Sequence, residues 1–169
     1  ENRADLLGAL WTSAWIAAIG LAISILLGLT FAVLMSQAKW IERSFYPYAV
    51  LIQTLPILAL VPMIGLQFGF GIKARVIVVV IVSLFPIITN TLFGLKSADQ
   101  GHHDLFTLHG AGRITRLFKL QFPSALPAMF TGFQISAGLA VIGEIVGGLF
   151  FGRGAVDLGN RIQLYVARL

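Results

Sequence analysis

Few residues in this chain are equipped for chemistry, and most of them fall in one stretch. Residues 96–123 hold Lys96, Asp99, Asp104, Arg113, Arg116, Lys119 and all three histidines, His102, His103 and His109. Histidine beside carboxylate raises metal ligation. A di-iron membrane enzyme needs more ligands than these, at inward helical spacing. Solvated loop histidines are the stronger reading. A membrane-embedded metalloenzyme or channel using this His-rich loop is the alternative. Arg113, Arg116 and Lys119 suit the phosphates of lipid headgroups, or carboxylates on a partner protein. There is no cysteine, hence no thiol nucleophile, disulfide or Cys-ligated metal. No G-x-x-x-x-G-K-[ST] occurs, so the chain has no P-loop to cradle ATP.

One acid stands apart. From Leu120 to Gly152 the only charged residue is Glu144. An acid at the bilayer centre costs about 2.5–3.5 kcal/mol on insertion scales, so it should face a cavity or a partner. Two roles stay open: a place in a pathway or its outer gate, or a structural hydrogen bond near the outer interface. Gly143, Gly147 and Gly148 suggest a local helix break around it. Gln53, Thr89 and Asn90 are polar positions in other apolar stretches. They suit path lining, although interhelical hydrogen bonding is the commoner role.

The composition says what solvent these groups sit in. Apolar residues make up 57% of the 169, charged residues 11%, and mean hydropathy is +0.89. Soluble domains carry about 25% charged residues. The chain therefore belongs in lipid, which excludes disorder as well. The net charge is +5, but the basic residues lie scattered between apolar runs, so nucleic acid is not an expected partner. The chain opens at Glu1 with no Met and no visible signal peptide, and it reads as part of a longer protein.

Charge gaps locate the elements. No charge lies between Asp5 and Lys39 (33 residues), Arg43 and Lys73 (29) or Arg75 and Lys96 (20). Each exceeds or meets the roughly 20 apolar residues that cross a bilayer as a helix. The expectation is an all-α polytopic bundle with spans near 8–36, 45–68, 75–95 and 124–150. The run Ile77–Val82 does not alternate, which argues against barrel strands. The second span carries Pro47, Pro56 and Pro62, then Gly65, Gly69 and Gly71, and Pro86 marks a bend in the third. Each internal Pro frees a carbonyl that must be satisfied inside the protein, so the second span should line the interior. Gln53, Pro56, Asn90 and Glu144 are the candidate pathway residues. Small residues recur at four-residue spacing, as in Ala14/Ala18/Ala22, Gly132/Ser136/Ala140 and Gly143/Gly147. Tight packing within the bundle is the expectation there, rather than a dimer seam.

Four spans put loops 37–44 and 96–123 on one side. Lys and Arg then divide six against six. Counting only loops between complete spans gives six against two, which favours a cytoplasmic 96–123 loop. That loop is long enough to be functional. Asp104 reads as the N-cap of a short helix, and Gly110-Ala111-Gly112 as a break where Gly110 takes positive φ. Ile114, Leu117 and Phe118 then share one face of a second short helix, which Pro123 stops as the next span begins.

The same loop resembles the cytoplasmic signature of binding-protein-dependent ABC transporter permeases, type I importers of the nitrate/sulfonate/taurine branch. Asp104-Leu105-Phe106 sits where that family has Glu-Ala-Ala, and Gly110 follows at the family spacing. Leu120-Gln121-Phe122-Pro123, then Ala125-Leu126-Pro127, is similar to its closing segment. Residues 52–62, Phe68-Gly69-Phe70-Gly71 and Phe85-Pro86-Ile87-Ile88-Thr89-Asn90-Thr91 agree with the branch in order. The resemblance implies a permease domain over 1–169 that lacks its flanking terminal helices, in the cytoplasmic (inner) membrane. It implies alternating access, driven by a cytosolic ABC ATPase dimer docked on Asp104, Leu105, Phe106, Gly110, Arg113 and Arg116. It also implies a second permease copy and an extracytoplasmic substrate-binding protein, with surrounding membrane lipid. No cofactor is implied on this chain; ATP and Mg belong to the partner ATPase. The chain itself is then a transport subunit, not an enzyme.

Overall fold

The computed structural model describes residues 2–151 and the isolated positions 158, 159, 162 and 166, with side chains from residue 5 onward. The described residues form helices and no strand. The order is α1 (Asn2–Gln37), α2 (Lys39–Thr54), α3 (Ile57–Phe68), α4 (Ile72–Lys96), α5 (Gln100–Leu108), α6 (Arg113–Arg116), a π turn (Leu117–Gln121) and α7 (Phe122–Phe151). Three stretches are long and apolar enough to cross a bilayer: Asp5–Gln37, Ile72–Lys96 and Arg113–Phe151. A fourth is the bent pair α2–α3, whose axes turn by 100°. Outward-facing Trp11, Leu26 and Leu66 are each more than two-thirds exposed, a surface suited to lipid and costly in water.

Four sequence expectations change here. The second span is not one bent helix but two helices meeting at Leu55-Pro56, both extended, with ψ of 126° and 112°. Proline pushes the residue before it out of the helical region and cannot donate to the turn above. Pro47, Pro62, Pro86 and Pro127, by contrast, all sit inside helices. Pro123 does not stop a helix either: the chain is helical from Arg113 through Phe151. The wider π turn ends just before Pro123 and relieves the clash its ring makes one turn back. No break occurs at Gly143–Gly148, which lie within α7. Lys39 and Arg43 are helical rather than loop residues, since only Ala38 separates α1 from α2.

α4 is the central element, packed along α7 on one side and α1 on the other. Hydrophobicity does not drive helices together in lipid, so close packing and polar contacts do. On α7 the small-residue stripe Gly132/Ser136/Ala140/Gly143/Gly147 is buried, as expected for packing within the bundle. A Cβ on Gly132 would lie 2.9 Å from the Pro86 carbonyl oxygen, so only glycine permits that approach. On α1 the expected stripe is displaced. Ala14, Ala18 and Ala22 face outward, while Ser13, Ala17, Gly20, Ser24 and Gly28 face inward. Three buried serines tie the helices near mid-span. Ser24 and Ser83 hydroxyls lie 2.8 Å apart, and the Ser136 hydroxyl donates to the Ser83 carbonyl at 2.7 Å.

Lys96 at the end of α4 pairs with Glu42 near the start of α2 at 2.5 Å. This puts the α1–α2 turn and the 96–121 segment on the same side of the bundle, as four spans require.

Candidate functional site

The segment after α4 begins with a cap. Asp99 accepts from the Gly101 amide at 3.2 Å, so α5 starts at Gln100 and not at Asp104. The sequence offers two acids ahead of the same helical run, and the earlier one wins. Asp104 instead lies mid-helix and accepts from the Gln100 side-chain amide at 3.2 Å.

The end of α5 is closed by a Schellman arrangement. The Gly110 amide donates to the Thr107 carbonyl at 2.9 Å, and the Ala111 amide to the Phe106 carbonyl at 2.9 Å. Gly110 takes φ +66°, a conformation that costs a side-chain residue about 1–2 kcal/mol. Gly112 leads into α6, and the Arg116 side chain reaches back, its Nε donating to the Ala111 carbonyl at 3.0 Å. Arg116 therefore braces the turn, while Arg113 is exposed.

α5 buries no residue. Leu105, Leu108, Ile114 and Phe118 stand out from this segment, Leu108 with 82% of its surface exposed. Phe106 is half-buried. The expected Ile114/Leu117/Phe118 face divides: Leu117 and Leu120 turn into the core, while Ile114 and Phe118 do not. The arrangement is a short elbow whose outer surface sets Leu105, Leu108, Ile114 and Phe118 among polar and basic residues. That is the form of a helix presented to a groove.

The histidines do not form a centre. His102 and His109 are exposed, and the His109 ring is 2.9 Å from the Leu105 carbonyl. Among the described residues no three of His, Asp and Glu converge. The metalloenzyme alternative gains no support.

The candidate pathway residues are not brought together within this chain. Gln53 and Pro56 lie exposed at the α2–α3 elbow. Asn90 is part-way along α4, its side-chain amide donating to the Pro86 carbonyl at 2.8 Å. Thr89 likewise bonds its own helix, to the Phe85 carbonyl at 3.0 Å. Glu144 is enclosed and forms an ion pair with Arg75, both 1% exposed. In the sequence Arg75 looks like a loop charge at a span edge, which hides this partner. The available signal is the match of one unexplained acid with one cation at the opposite end of the neighbouring span. Arg153, Asp157, Arg161 and Arg168 lie outside the described residues.

Residues 24–166 match the family described as binding-protein-dependent transport system inner membrane component. The chain belongs to that family. Its members are inner-membrane proteins, in keeping with the spans described above. The chain is 43% identical over 132 residues to the formylaminopyrimidine transport permease protein ThiX of Halalkalibacterium halodurans, covering 78% of this chain and 53% of that protein. It is 32% identical over 143 residues to the putative aliphatic sulfonates transport permease protein SsuC of Escherichia coli, covering 82% and 54%. The chain thus spans about half the length of these curated relatives. A solved amino acid ABC transporter with histidines superposes with a TM-score of 0.72 at 20% identity, covering 97% of this chain and 78% of that one. That likeness is one of fold.

Proposed function

We propose that this chain is the membrane-spanning core of an ABC importer permease. Its α5–α6 elbow docks on a cytosolic ABC ATPase, a second copy completes the pathway, and an extracytoplasmic binding protein delivers the solute. Nucleotide and Mg are handled by the ATPase. The observation that carries this reading is the elbow itself: an exposed short helix bearing Leu105 and Leu108, closed by Gly110 at positive φ and followed, after a four-residue turn, by a helix that runs unbroken from Arg113 across the membrane. Apolar surface presented outside the bundle at the end of a rigid lever is what a docking partner requires. Asp104, Leu105, Phe106 and Arg113 form its outer face, and Gly110 and Arg116 set its angle. Gln53 and Pro56, at the exposed elbow of α2–α3, are the pathway candidates that a second copy could complete. The solute is a small molecule of the kind its relatives carry, and the 43% identity to a formylaminopyrimidine permease favours a small nitrogen heterocycle.

The test is Gly110→Asp in the full-length protein co-expressed with its ATPase. A side chain at φ +66° opens the elbow, and the ATPase should no longer co-purify, nor solute enter the cell. Membrane insertion should be normal. Full uptake in the variant would refute the docking role.

A further inference from the structure

A cavity of about 550 Å³ lies where α1, α2 and α4 meet, beside the Lys96–Glu42 pair. Its wall carries three cations, Lys39, Arg43 and Lys96, against one carboxylate, Glu42. On α2 the residues Lys39, Glu42, Arg43 and Tyr46 fall at i, i+3, i+4 and i+7, so they form one stripe of the helix. Glu42 is engaged by Lys96 at 2.5 Å. Among the described residues no carboxylate lies within ion-pair distance of Lys39 or Arg43. The cavity is therefore short of negative charge.

Its depth in the membrane is marked by its neighbours. α1 ends at Gln37 and α4 at Lys96, so the cavity sits at the ends of two spans. Trp40, Tyr46 and Tyr48 stand exposed around it, as aromatic residues do at the headgroup level. Next to it, toward the bilayer interior, is a second, almost wholly apolar cavity of about 90 Å³. Phe31, Phe45, Ala49 and Ile88 line it, and Met35 belongs to both walls. Exposed Tyr48 and Ile52 form its outer lip, so it opens on the outer surface of the helices.

We infer that this junction is a binding site for an anionic phospholipid, the phosphate held by Lys39, Arg43 and Lys96 and the first carbons of an acyl chain laid along the Met35–Ala49 groove. Basic pockets between helix ends suit anionic headgroups. A free phosphate shares the anion chemistry but has no use for the apolar groove, which adjoins the basic cavity at Met35, the residue common to both walls. This site does not depend on the transport reading.

The experiment is native mass spectrometry of the full-length protein, exposed to equimolar phosphatidylglycerol and phosphatidylcholine in mixed micelles. Phosphatidylglycerol should be retained preferentially. Lys39→Gln with Arg43→Gln should weaken that retention roughly thirtyfold, from two surface cations of ordinary strength. The charge-preserving pair Lys39→Arg and Arg43→Lys should retain it, which separates lost charge from misfolding. Lys73→Gln, at the opposite end of α4 from the cavity, should have no effect. Excess glycerol phosphate or inorganic phosphate should not displace the lipid; displacement would assign the site to free anions and overturn the inference. So would equal retention of the two lipids, or undiminished retention by the double Gln variant. A change of oligomeric state in that variant would give the face to a second copy and overturn the inference equally.

Discussion

Arg75 of α4 and Glu144 of α7 meet as an ion pair enclosed by the helices that carry them, 69 residues apart in sequence. The close approach comes from Gly147, one turn beyond Glu144, where a Cβ would lie 3.3 Å from the Arg75 backbone. Both residues sit at the end of the bundle opposite the Lys96–Glu42 pair, since Arg75 opens α4 and Lys96 closes it.

A buried pair is worth little against a well-packed apolar replacement, but removing one partner strands a charge. Arg75→Met or Glu144→Leu alone should therefore lower stability by about 3–5 kcal/mol, and the double variant should recover most of it. Thermal unfolding in detergent measures the cycle. Simple additivity would mean that the pair is not an energetic unit. Glu144→Gln tests a separate role: solute uptake at the normal rate would remove the acid's charge from the transport mechanism.

The α4–α7 seam makes a second, sharper contrast between two glycines. A Cβ on Gly94 would sit 2.9 Å from both the Cα and the carbonyl oxygen of Ala125. Backbone cannot yield as a side-chain end can, so Gly94→Ala should cost about 1–3 kcal/mol. Gly138, on α7, has nothing within 4 Å of the added atom. Gly138→Ala should stabilise by up to about 1 kcal/mol through helix propensity. The two melting temperatures should move in opposite directions.

The α2–α3 elbow owes its angle to Pro56. In Pro56→Ala an amide returns to bond the carbonyl one turn back, and Leu55 regains access to helical φ and ψ. Spin labels at Leu51 and Met63 should then move apart as the 100° bend opens. An unchanged distance would assign the bend to packing around α3.

The charge gaps reveal the long helices α1, α4 and α7 plainly, because a helix that crosses lipid must shed charge for about 20 residues. Gly110 is also legible, since a glycine after a short helical run is the usual way to end one. The prolines are not. All six look alike in sequence, yet only Pro56 breaks its helix. Pro123 escapes because the π turn is formed by Leu117–Gln121, whose pattern carries no distinct signature. The inward face of α1 is hidden because alanine, glycine and serine serve equally as small residues, and the partner helix decides which row packs. Arg75 resembles a loop charge for a related reason: a cation at a span edge normally snorkels to water, and only the fold reveals the acid that holds it. For the α5–α6 elbow, the spacing locates the turn, but not that Arg116 turns back to brace it at Ala111.

The uninterrupted run from Arg113 to Phe151 has a mechanical meaning. Thirty-nine residues at helical rise make a rod of about 58 Å, longer than the bilayer is thick. One end is the turn held by Gly110, and Glu144 lies near the other. A displacement imposed at the exposed elbow has no flexible joint in which to dissipate, apart from the single wide turn at Leu117–Gln121. If the elbow docks as proposed, the compliance of those five residues would set how much of a push there reaches the Arg75–Glu144 contact near the far end of the rod.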